Sequence, residues 1–160
     1  MIVMADANSF RLDFDGCVEE FGRHRRAHPE VLHQLLGSGL FGAETRVLDV
    51  GCGTGSYAAA LTEATNCRVS GVDPSQRMLD WARNAALWES LFQGSAESLP
   101  FGDDLFDVVM STDVIHHIGN RDAYFLHSVA CMHTRPRHDD VPFDRSGITD
   151  DQLRGRNRVR

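Results

Sequence analysis

The stretch from Val47 to Tyr57, Val-Leu-Asp-Val-Gly-Cys-Gly-Thr-Gly-Ser-Tyr, restricts the fold more than any other part of the chain. It opens with an apolar run of strand character, passes through glycines at alternate positions, and enters the helix-favouring Ala58-Ala59-Ala60-Leu61. A strand, a glycine turn and a helix follow in that order. Gly51, Gly53 and Gly55 let the backbone approach a ligand where a Cβ would collide, and the helix beyond them directs free N–H groups at the same place. The ligand expected from this is nucleotide-like.

The second half of the signature lies one strand further on. Arg68 to Val72 reads as a short strand ending in Gly71-Val72-Asp73, and Asp73 stands 18 residues beyond Gly55. A carboxylate about 20 residues on, at the tip of the second strand, is where a doubly wound sheet holds the hydroxyls of a ribose. Dinucleotide enzymes space their glycines Gly-x-Gly-x-x-Gly, the third packing a helix whose N-terminus carries a pyrophosphate. Here the spacing is Gly-x-Gly-x-Gly, with Asp49 two residues before the first glycine. A carboxylate there suits a ligand bearing an ammonium group better than one bearing phosphates, which disfavours a nicotinamide enzyme.

With these residues the chain resembles the class I S-adenosylmethionine-dependent methyltransferases, and among them the small-molecule enzymes often called type 11. Three blocks carry the resemblance: Val47 to Tyr57; Gly71-Val72-Asp73-Pro74-Ser75 with Met78, Leu79 and Ala82; and Gly94 to Phe101 leading into Phe106-Asp107-Val108-Val109. The match runs from about residue 15 to 132. It implies an α/β, Rossmann-like three-layer α/β/α sandwich with a mostly parallel sheet, lacking the last strands of the family fold. It implies S-adenosyl-L-methionine as cofactor and a small-molecule methyl acceptor. By the same match, Asp49, Gly51, Cys52, Gly53 and Gly55 lie under the methionine part, and Asp73 with Pro74 meets the ribose. Met78 packs on the adenine, and Ala96 and Glu97 belong to the loop that reads the base edge. The segment Arg25-Arg26-Ala27-His28-Pro29 resembles a degraded Arg-Pro-x-Tyr-Pro motif, which would bring Arg25 to the cofactor carboxylate.

Composition narrows the partners. A net charge of −7 and a pI of about 5.5 argue against a broad phosphate-binding surface, so nucleic acid is not the expected partner. The four cysteines, Cys17, Cys52, Cys67 and Cys131, show no paired metal spacing, and no metal site is expected. His24 and His28 stand four apart, but Pro29 disturbs their helix and no third ligand is nearby. No run approaches the ~20 apolar residues of a membrane span, and the beginning of the chain lacks a secretory apolar region, so a cytoplasmic setting is expected.

The chain divides into an N-terminal segment (1–14), a cofactor-binding core (15–132) and a tail (133–160) expected to be irregular or disordered. Residues 17–26 read as an amphipathic helix, and Pro29 starts a second that stops at Gly37. Leu91-Phe92-Gln93 reads as a third strand. Leu105 to Ser111 reads as a buried parallel strand central to the sheet. Its carboxyl end carries Thr112 and then His116 and His117, where ligands of open α/β sheets sit. His117 is the candidate for taking a proton from an acceptor hydroxyl. Asn120 or Asp122 is placed to cap a helix running to about Met132. Without a fifth strand, the 105–111 strand would be an open edge, so either the chain pairs there, as a homodimer or with a partner, or it is a truncated or altered product of marginal stability. A cofactor-binding chain that does not catalyse is the alternative reading.

Overall fold

The computed structural model describes residue 16 and residues 18–24, 26–86 and 88–132. The expectations for 1–14, for Arg25 and for the tail from 133 lie outside the described residues.

Four parallel strands form one sheet: β1 (Arg46–Val50), β2 (Arg68–Asp73), β3 (Trp88–Gln93) and β4 (Val108–Met110), in the order β3-β2-β1-β4. The chain therefore winds outward from β1 to β3, then crosses back to place β4 on the other side of β1. The reversal makes a switch point between β1 and β4, and ligands of such sheets sit beyond the carboxyl ends of the strands at that place.

Helices α1 (Val18–His24), α2 (Pro29–Gly37), α3 (Ser56–Thr65), α4 (Gln76–Ala82) and α5 (Arg121–Cys131) cover the two faces. Alternation along β1 assigns them. Val47 packs with Ala58 and Leu61 of α3, alongside Leu32 and Leu35 of α2, whereas Leu48 and Val50 pack with Tyr124 and Cys131 of α5. Val47, Leu48, Val50, Val69 and Val72 are at most 1% exposed, as strands covered on both sides require. Each such side chain contributes ~1.5–3 kcal/mol of transfer free energy. The result is the Rossmann-like α/β/α sandwich implied by the family resemblance.

Local chemistry sets the helix ends. Pro29 opens α2 without a donor to leave unsatisfied, and the Ser75 hydroxyl accepts from Met78 N–H at 3.2 Å to cap α4. Asn120 Oδ1 accepts from Ala123 N–H at 3.0 Å, so Asn120 rather than Asp122 caps α5.

The segment 105–111 differs from its expected form. Only Val108–Met110 is strand, it borders β1 alone among the named strands, and Leu105 is 41% exposed. The shortening has a local cause. Asp107 Oδ2 accepts from Arg46 N–H at 2.8 Å while Asp107 N–H donates to Arg46 O at 2.8 Å, so an aspartate takes the place of a ladder position at the start of β1. Phe106 instead forms an isolated parallel bridge with Met132, where the chain leaves α5.

Candidate active site

Beyond the carboxyl ends of β1, β2 and β4 lies a cavity of about 130 Å³, an order of magnitude more than the ~10–15 Å³ that lodges one water. Its floor is the turn after β1, Gly51 to Thr54, continued by Ser56 and Tyr57 at the start of α3. Asp73, Pro74 and Met78 form one wall, and Thr112, Asp113, Val114 and His117 form the other. The switch point thus gathers residues from three separate parts of the sequence.

The three glycines differ in what they face. A Cβ on Gly51 would lie 2.5 Å from Val114 Cγ2, and one on Gly55 would lie 2.8 Å from the Trp88 ring, so both positions are closed by protein. Gly53, at φ +53°, has no atom within 4 Å of where a Cβ would stand. Its backbone alone borders open space, and its N–H donates to Asp73 Oδ2 at 2.9 Å.

Asp73 is 8% exposed, and its other oxygen accepts from Ser75 N–H at 2.9 Å. Two backbone donors therefore hold the carboxylate at the cavity wall. Asp49 lies deeper, 2% exposed, with Oδ1 lacking a hydrogen-bond partner. Burial, and then the negative Asp73, raise its pKa from 3.8 to about 7. The same causes push the Cys52 thiol upward: burial first, then Asp49 and Asp73. Cys52 is consequently an un-ionised, packed wall residue rather than a nucleophile.

Of the residues singled out in the sequence, Gly51, Cys52, Gly53, Asp73, Pro74, Met78, Thr112 and His117 come together around the cavity. Asp49 lies buried without lining it, and Gly55 packs on Trp88 at the start of α3. Ala96 packs against the core on the α5 side. Glu97 does not line the cavity. Its Oε1 accepts from Gly119 N–H at 2.9 Å and Asn120 N–H at 3.0 Å, and its Oε2 accepts from the Ser95 hydroxyl at 2.6 Å. That carboxylate clasps the loop before α5.

Thr54, Ser56, Tyr57, Asp113 and Val114 line the cavity without having been singled out. Thr54 and Ser56 flank the last glycine of the motif, which was a usable signal. Val114 is recognisable only through its contact with Gly51. The Tyr57 hydroxyl accepts from His28 N–H at 3.2 Å, tying the start of α2 to the cavity floor. His117 sits in a 3-10 turn, Ile115–His117, rather than on the end of β4, and its ring centroid is 3.9 Å from that of His116. No group of three or more His, Cys, Asp or Glu side chains among the described residues is arranged to hold a metal ion.

Residues 47–136, more than half of the chain, match the family model described as the methyltransferase domain. The chain belongs to that family. The methyltransferase domain is 37% identical over 99 residues to the uncharacterized methyltransferase YcgJ of Bacillus subtilis, covering 59% of this chain and 39% of that protein. The crystal structure of YcgJ superposes with a TM-score of 0.60 at 28% identity, over 66% of this chain and 47% of that one. A SAM-dependent methyltransferase of Thermotoga maritima superposes at 0.56 with 25% identity, over 75% and 55%. The methyltransferase domain described here spans about half the length, or less, of the curated relatives it matches.

Proposed function

We propose that this methyltransferase domain binds S-adenosyl-L-methionine across the carboxyl ends of β1 and β2 and transfers its methyl group to a small-molecule acceptor at the β4 side. The observation that carries the reading is Asp73, a carboxylate buried at the cavity wall and fixed by Gly53 N–H and Ser75 N–H. The residues fit such a ligand in two further respects. Gly53 leaves room where any side chain would intrude, and Asp49, with its Oδ1 lacking a protein donor, sets a buried carboxylate beneath the cavity floor. A cation above that floor is the charge it favours.

When bound, S-adenosyl-L-methionine supplies an electrophilic methyl carbon on a sulfonium, which passes to the acceptor as the carbon–sulfur electron pair returns to sulfur. The chain's own residues bind and orient. Asp73 accepts from the ribose hydroxyls, Asp49 faces the amino group, and Met78 packs a polarizable thioether on the adenine. Pro74 and Cys52 narrow the space between them. On the opposite wall Thr112 closes the reacting end, and His117 takes a proton from the acceptor where the acceptor carries one. Positioning and exclusion of water provide most of the acceleration. The three described cysteines are free and buried, in keeping with a reducing, cytoplasmic setting.

Calorimetric titration with S-adenosylhomocysteine tests the cofactor assignment. Binding is expected in the parent, and Asp73→Ala is expected to weaken it more than tenfold, the loss of charge-assisted hydrogen bonds being worth ~1.5–3 kcal/mol. Unchanged affinity in Asp73→Ala would remove the ribose assignment. Binding without turnover against a broad acceptor panel would favour a chain that holds the cofactor and does not catalyse.

A further inference from the structure

The carboxylate and imidazole side chains lining the cavity are Asp73, Asp113 and His117, with Asp49 beneath, and no arginine lines it among the described residues. The reading above uses Asp73 and Asp49 for the cofactor. Asp113 is left, on the wall that also carries His117. Its φ of +59° lies in the left-handed region, which most side chains avoid and where aspartate and asparagine are among the best tolerated. Backbone geometry therefore restricts the position to a few residue types, and of these aspartate alone brings a negative charge.

We propose that the methyl acceptor is a small basic amine, recognised in its ammonium form by Asp113. This rests on the cofactor reading above. Asp73 and Asp113 would repel a carboxylate or phosphate acceptor, with no arginine among the described lining residues to offset them, whereas they draw in a cation. An alcohol would be indifferent to the charge. An ammonium must lose one proton before it can accept a methyl group, and a neutral His117 stands on the same wall to take it. The nitrogen lone pair so released forms the new bond to the methyl carbon as the bond to sulfur breaks, and the pair from that bond stays on sulfur. The product leaves as the N-methylated ammonium ion.

The test uses the full chain saturated with S-adenosylhomocysteine, and matched amine, alcohol and carboxylate ligands on phenethyl and butyl skeletons, with binding followed by saturation-transfer NMR and calorimetry. On at least one skeleton the amine is expected to bind tenfold or more tightly than its alcohol and carboxylate counterparts. Asp113→Asn, which keeps a residue suited to the left-handed turn, is expected to cut that advantage about tenfold and leave S-adenosylhomocysteine affinity unchanged. Failure of S-adenosylhomocysteine itself to bind would overturn the cofactor reading. If it binds, the amine proposal is overturned by any of three results: no amine binding, carboxylates binding as well as amines, or an advantage that survives Asp113→Asn.

Discussion

Asp49 is the buried residue whose protonation ties the stability of the fold to pH. The folded chain holds the Asp49 proton more tightly than the unfolded chain, because burial and Asp73 raise its pKa from 3.8 to about 7. Its contribution to stability is therefore fully present below pH 3.8 and is lost as pH rises through about 7, a swing of up to ~4 kcal/mol. Asp49→Asn removes that titration. Thermal melts should show the variant gaining stability relative to the parent at pH 8 and losing the gain at pH 5. The same variant should bind S-adenosylhomocysteine more than tenfold more weakly, since a neutral amide cannot balance an ammonium. The sequence made the existence of this carboxylate plain, but not its depth. Nor could the sequence distinguish the three glycines, because Val114 and Trp88, which close two of them, are remote in the chain.

At the scale of elements, the Ile115–His117 turn is fixed from both sides. Val114 packs over Gly51 at its start, and Glu97 holds Gly119 N–H and Asn120 N–H just past its end. Glu97→Ala should release the second anchor. Turnover, or amine binding, is expected to fall roughly tenfold or more, as small displacements of positioning groups can do. S-adenosylhomocysteine affinity should stay within about threefold, and Glu97→Gln, which keeps an acceptor oxygen, should restore most of the loss. Hydrogen exchange offers a second check: α2 contains no buried residue, so its amides should exchange well before those of β1. The starts of α2 and α5 were legible because Pro29 and Asn120 act through local rules. The 105–111 strand was not. Apolar content signals burial, whereas pairing depends on partners, and Asp107 and Met132 redirect the backbone there.

For the whole molecule, the sheet order decides where the ligand lies, and ligand binding should in turn steady the entire sheet. With S-adenosylhomocysteine at a hundred times its Kd, unfolding should cost about 2.7 kcal/mol more, raising Tm by ~5–11 °C. No shift with S-adenosylhomocysteine alongside a shift with an unrelated nucleotide would contradict the cofactor reading. The sequence disclosed the β1-α3-β2 half of this architecture, since its motif is contiguous. The β4 wall was only partly legible, because it is assembled from short segments whose contacts cross the switch point.

Met132 ends α5 in extended backbone, already parallel to Phe106. Anything engineered onto residue 132 would begin its path beside β4. A fusion that starts with a rigid, bulky body would contend with the sheet for that margin, whereas a short pliant lead would let the margin keep its own geometry.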